Sequence, residues 1–149
     1  MDYICYQKRK KYTNYRLEEP VAIEIDLNPP QDIHSYKISL VKNNGKSLLT
    51  IKERYTWDGP SGPTLDTKSF MRGSLAHDAL YQLMRLDLLD RVKYRIDADR
   101  TLRKICRQDG MNPIRAWYVF WAVHLCAKGA AGPEARLDNI YAPHSPAAN

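Results

Sequence analysis

Between residues 21 and 27 apolar side chains fall on every second position: Val21, Ile23, Ile25 and Leu27 alternate with Ala22, Glu24 and Asp26. A period of two puts these four on one face of an extended strand. Asn28, Pro29 and Pro30 stop it, because proline removes a donor from any ladder. Two further runs, Tyr36-Lys37-Ile38-Ser39-Leu40-Val41 and Ser47-Leu48-Leu49-Thr50-Ile51, flank Lys42-Asn43-Asn44-Gly45-Lys46. Asn-Gly tolerates positive φ at both turn positions, so the pattern predicts an antiparallel hairpin.

After residue 69 the period lengthens. Leu75, Ala79, Leu83 and Leu86 recur at three or four residues and predict a helix over 69–89. Ala98, Leu102, Ile105 and Cys106 share a face of a second helix over 97–108, closed by Gly110. Asn112 and Pro113 read as the cap and first turn of a third. That third helix carries Ile114, Trp117, Val119, Phe120, Trp121, Val123 and Leu125, and is the most apolar element. It is expected to be the central buried helix, with Trp117, Phe120, Trp121 and Leu125 packing over Leu83 and Leu102. The expected class is α+β: an N-terminal antiparallel hairpin or small sheet, then a three-helix core.

Length fits one domain over residues 1–149. Its expected parts are a basic, tyrosine-rich arm (1–16), a β-rich segment (17–58), a Gly/Pro loop (59–68), a helical core (69–132) and an extended tail (133–149). Apolar residues make up 44% and charged residues 27%, which excludes collagen, coiled coil and wholesale disorder. No apolar run is long enough for a transmembrane helix, and the opening residues do not read as a secretory leader. Cys5, Cys106 and Cys126 lack metal-ligand spacing and read as reduced thiols, two of them on apolar helix faces.

Twenty-three basic against 17 acidic residues leave +6, with Lys8, Arg9, Lys10 and Lys11 in one run. Such charge suits nucleic acid, anionic lipid or an acidic partner. No helix-turn-helix, zinc-finger or RNA-binding signature accompanies it, so sequence-specific nucleic-acid readout is not expected.

Candidate chemistry lies between the two halves. Trp57-Asp58-Gly59-Pro60-Ser61-Gly62-Pro63 is a constrained loop able to present backbone groups to an ion. His77 and Tyr81 are four apart on the first helix and share a face. If the first two helices pack antiparallel, Asp99 approaches His77, fixes its tautomer and raises its basicity. Asp78 points about 100° away and is placed to join the loop around a hard cation such as calcium. The plain alternative is a buried His–Asp hydrogen bond tying two helices together.

His77-Asp78, Tyr81 at the fifth position and Asp99 on the next helix resemble secreted phospholipases of the A-two type. The resemblance implies that His77 activates water, Asp99 orients it and Tyr81 supports the pair. Asp78 would hold calcium with Asp58, Gly59, Ser61 and Gly62. Ala79 and Leu80 stand where that superfamily carries cysteines. A longer series covers most of the chain: Tyr-x-Trp-Asp-Gly-Pro-Ser-Gly-Pro-Thr (55–64), His-Asp-Ala-Leu-Tyr-Gln (77–82), Ala98-Asp99-Arg100, Asp109-Gly110-Met111, Arg115-Ala116-Trp117 and Trp121-Ala122-Val123. This series is similar to a small phage and prophage family of unknown function.

That second resemblance implies a virion protein of tail or neck, made in the host cytoplasm and assembled with other virion proteins as a homo- or hetero-oligomer. Its expected contact residues are Tyr3, Tyr6, Lys8, Arg9, Lys10 and Lys11 at one end, and Ile140 and Tyr141 at the other. The alternative function is a calcium-dependent, phospholipase-like hydrolase acting on the host envelope, with membrane lipid as its partner.

Overall fold

The computed structural model describes residues 3–9, 14–59 and 67–133. Strands occupy the N-terminal side: β1 (Tyr6–Lys8), β2 (Tyr15–Leu17), β3 (Val21–Ile25), β4 (Ile33–His34), β5 (Ile38–Asn43), β6 (Lys46–Ile51) and β7 (Thr56–Trp57). Helices follow as α1 (Lys68–Arg85), α2 (Arg91–Gln108) and α3 (Pro113–Cys126), then a 3-10 turn at Gly129–Ala131. The class is α+β, as the patterning predicts. Lys10, Lys11, Ser61, Gly62, Ile140 and Tyr141 lie outside the described residues.

The larger sheet is antiparallel throughout, in the order β3-β6-β5-β4. Its central hairpin turns on Asn44 and Gly45, at φ 48° and 82°, the conformation that Asn-Gly favours. Register places Val21 and Ile38 on either side of Ile51, and Ile23 and Leu40 on either side of Leu49. All six are buried on the same face, with Ile25 and Ile33 beside them. Leu27 is buried too, but beyond the strand end, where its carbonyl accepts from Ser47 Oγ at 2.6 Å.

The smaller sheet, β1-β2-β7, changes the picture of residues 1–16. The expected arm is, where described, part of a sheet. Tyr6 and Tyr15 meet at 5.6 Å between ring centroids, and Trp57 lies 5.9 Å from Tyr6 and 5.6 Å from Tyr15. Tyr6 is therefore half-buried against the core, while Tyr3 stays exposed. Lys8 covers the Tyr15 ring, its ammonium 5.7 Å from the centroid. β2 is the middle strand, pairing with β1 on one edge and with the short β7 on the other. Gly59, two residues after Trp57, has φ 76°, and a Cβ there would stand 2.4 Å from the Tyr15 ring. No other residue type fits that position unstrained.

α1 is the central helix, with 13 of its 18 residues buried. It joins the β-sheet residues in one core and packs antiparallel to α2 on its other side. Gly73 permits that close packing: a Cβ there would meet Cys106 Sγ at 2.7 Å and the Leu102 carbonyl at 3.1 Å. Nearby, Arg72 grips Asp109 through Nε and Nη2, with both side chains largely buried. α1 is shorter than expected because Asp87 adopts φ 57°, which no helix continues. α2 begins six residues earlier than expected, capped by Asp90 on the amides of Val92 and Lys93. In its charged first turns only the buried Tyr94, four residues before Ala98, continues the apolar face.

The expectation for α3 is corrected. Only Ala116, Val119 and Phe120 of this helix are buried, and Ala116 and Val119 pack with Phe70, Leu102, Cys106 and Met111. Trp117, Trp121 and Leu125 are exposed, as are Ile114 and Tyr118. Leu83 belongs to the other core. The sheet occupies the remaining face of α1, so α3 is left as an outer helix with one face covered. All three cysteines are free, and Cys126 is exposed rather than seated in an apolar face.

Two outcomes follow for stability. Phe120→Ala should lower unfolding free energy by about 3 kcal/mol or more, whereas Trp117→Ala should stay within about 0.5 kcal/mol. Urea unfolding of both variants reads the contrast, and equal losses would return Trp117 to the core. Gly73→Ala should cost about 1–3 kcal/mol through overpacking. An unchanged urea midpoint would mean that α1 and α2 separate freely.

Candidate active site

On α1, His77 and Tyr81 stand one turn apart, their rings 4.0 Å between centroids. The antiparallel pairing brings Asp99 of α2 opposite them, with 0% of it exposed. His77 Nε2 lies 2.9 Å from Asp99 Oδ1, and the Tyr81 hydroxyl donates to the same oxygen at 2.7 Å. The second carboxylate oxygen, Oδ2, is 2.9 Å from Nδ1 of His124 on α3. Arg95 Nη1 is 3.7 Å from Oδ2 and donates to the His124 carbonyl at 2.8 Å. One carboxylate thus gathers three helices.

Burial alone pushes the Asp99 carboxyl up, but hydrogen bonds from His77, His124 and Tyr81 outweigh it and hold it below the usual range. An ionised carboxylate only accepts, so the facing nitrogens carry the protons. His77 in its neutral form is then protonated at Nε2, and Nδ1 keeps its lone pair. Nδ1 has no hydrogen bond among the described residues, and 10% of the His77 side chain remains exposed. Burial and the Asp99 bond both push the Tyr81 phenol up, so it stays a donor. His124 stacks on Phe120 at 5.7 Å and meets the Trp121 ring edge-on at 6.0 Å.

Asp78, the next residue round α1, faces the entrance of the Gly/Pro loop. Burial pushes its carboxyl up; the charges of His77 and Arg85 pull it back, and the Asp58 carboxylate pushes it further. The buried Tyr55 phenol is raised by burial and then by the Asp78 charge. Trp57 Nε1 donates to Ser74 Oγ at 3.1 Å, which fixes the loop's first end to α1.

Calcium takes six to eight oxygen acceptors. The described residues bring Asp78 towards Asp58, but the backbone group of Asp58 that faces Asp78 is an amide, a donor. Among them no group of three or more His, Cys, Asp and Glu is placed to hold a metal. Ser61 and Gly62, the remaining candidate ligands of such an ion, lie outside the described residues.

Sequence reasoning anticipates the meeting of His77, Tyr81 and Asp99 and misses His124, Arg95 and Tyr55. His124 is the one residue among His, Lys, Arg, Asp and Glu in the apolar run 116–126, and that isolation is its signal. Arg95 precedes the expected start of its helix. No protein family, no curated protein and no solved structure matches this chain.

The two carboxylates should titrate with opposite effects on stability. Asp99 is lowered in the fold, so its contribution is complete above the ordinary carboxylate pKa of about 3.9 and is lost as pH falls through its native value. Asp78 is raised, so its ionisation costs stability as pH rises from that same ordinary value through its native one. Thermal melts across pH should show Asp99→Asn destabilised at neutral pH, with the gap narrowing in acid. Asp78→Asn should melt higher than the parent at neutral pH and equal to it in acid. A lower neutral melting temperature for Asp78→Asn would give Asp78 a stabilising partner.

Proposed function

We propose that this chain is a His–Asp hydrolase acting on carboxylic esters of envelope lipid, with His77 as general base. One observation carries the reading: a fully buried carboxylate sits on Nε2 while Nδ1 is left as an acceptor. In the reaction Nδ1 takes a proton from a water as its oxygen bonds to the acyl carbon. Asp99 stabilises the imidazolium formed, and Tyr81 keeps the carboxylate aligned. As the tetrahedral intermediate collapses, the acyl–oxygen bond to the alcohol breaks and Nδ1 returns the proton to the leaving oxygen. Products are a fatty acid and an alcohol, and no other reactant is consumed.

A second reading is favoured by His124. With both oxygens of Asp99 occupied, the cluster also suits a structural clamp in a virion-associated tail or neck protein. The motif series from Tyr55 to Val123 supports a phage origin for either reading, and a particle-borne enzyme satisfies both.

The test is fatty-acid release from mixed phospholipid vesicles, with calcium and with chelator. His77→Asn should lower turnover by about 10²–10⁴-fold while leaving the fold intact. Activity unchanged in His77→Asn would remove the general base. No release from any lipid by the folded protein would favour the clamp.

A further inference from the structure

α3 exposes Ile114, Trp117, Tyr118, Trp121 and Leu125, at 77%, 53%, 49%, 42% and 72%. Their spacing of three, one, three and four residues is that of one continuous helical stripe. It spans most of a helix about 21 Å long at 1.5 Å per residue. The opposite side is fixed to the domain through Ala116, Val119 and Phe120. On α2, Val92 and Ile96 are also exposed and flank Arg95, which reaches the His124 carbonyl. An exposed apolar surface of this extent marks an interaction site.

Charge selects its occupant. Residues 91–133 hold nine basic and three acidic residues, an excess of six that falls to four once Arg91 and Lys104 are paired with Asp87 and Asp26 outside that span. α3 itself has no acidic residue. A second copy laid on this face would bring two such basic regions together, which opposes association. An anionic bilayer is complementary to it. Two tryptophans and a tyrosine along the stripe suit the boundary between headgroups and acyl chains, where an aromatic ring finds both an apolar and a wet side. Among the described residues no helix is long and apolar enough to cross a membrane, so α3 would lie in the plane of the surface.

We propose that the exposed face of α3 docks on an anionic lipid surface, seating Ile114, Trp117, Tyr118, Trp121 and Leu125 at the headgroup–acyl boundary. Docking reaches the active site directly, because His124 of the same helix holds Asp99 Oδ2. The proposal deepens the hydrolase reading by naming the surface on which substrate is met. It rests on that reading only for turnover, since binding is measured without it.

The experiment is sedimentation of the full chain with vesicles of phosphatidylcholine alone and of phosphatidylcholine mixed with phosphatidylglycerol. Tryptophan emission is followed in parallel, Trp57 being buried and constant. Binding is expected only to the mixed vesicles, with a blue shift, and should weaken as salt rises. The double variant Trp117→Gln/Trp121→Gln should bind about tenfold or more weakly while melting like the parent. Equal binding to both vesicle types, or an unweakened double variant, overturns the proposal. So does a concentration-dependent dimer that the double variant abolishes without any vesicle binding. Vesicle binding without ester hydrolysis would sink the hydrolase reading and leave docking standing. Hydrolysis of a soluble ester without vesicle binding would do the reverse.

Discussion

An ionised carboxylate removed from water must be met by hydrogen-bond donors or it destabilises the fold by several kcal/mol. Asp99 is such a group, and its donors come from His77 and Tyr81 on α1 and His124 on α3. That requirement fixes how three helices stand relative to one another. α1 must present one particular face to α2, and α3 must begin close enough to the end of α2 for His124 to return to Asp99. The turn at Asp109–Gly110, held to α1 through Arg72, supplies that geometry. The ordering of His77 is therefore a by-product of the same contacts that assemble the helical layer.

The second half of the site depends on a different constraint. The residues before the Gly/Pro loop are placed by aromatic packing in a three-stranded sheet and by the Trp57–Ser74 hydrogen bond. They bring Asp58 and Tyr55 to Asp78, a carboxyl whose burial is not offset by an equal set of donors. The molecule keeps the Asp99 carboxylate well satisfied and Asp78, the residue next to its partner His77, poorly so. The two acids on either side of His77 are thus held in opposite electrostatic environments.

Much of this was legible in the chain and some was not, for identifiable reasons. The Val21–Leu27 alternation and the Asn44-Gly45 turn are local signals, and the strands obey them. The His77, Tyr81 and Asp99 grouping needed only helical spacing and an antiparallel pair. The place of α3 is not legible, because hydrophobicity does not by itself mean burial: Trp117 and Trp121 are apolar by composition yet exposed in the fold. Composition cannot say which of two apolar helices takes the shared face of the sheet. α1 takes it, with Met71, Leu75, Ala79 and Leu83 in one core with the strand residues, while Gly73 lets α2 close on its other side. The sheet made by β1, β2 and β7 is illegible because strands of two or three residues carry no period.

That small sheet has a consequence for the order in which the chain becomes a protein. β1 and β2 can pair as soon as both have left the ribosome, but the ring that covers Tyr6 and Tyr15 belongs to Trp57. The aromatic faces at the chain's beginning therefore wait, uncovered, through the synthesis of the whole larger sheet. Within that interval β4, β5 and β6 follow one another, and β3 pairs with β6 across them. β7 follows β6 in the chain, so the contact of the Gly59 corner with Tyr15 joins residues that are far apart in sequence and close only through the fold of the strands between them.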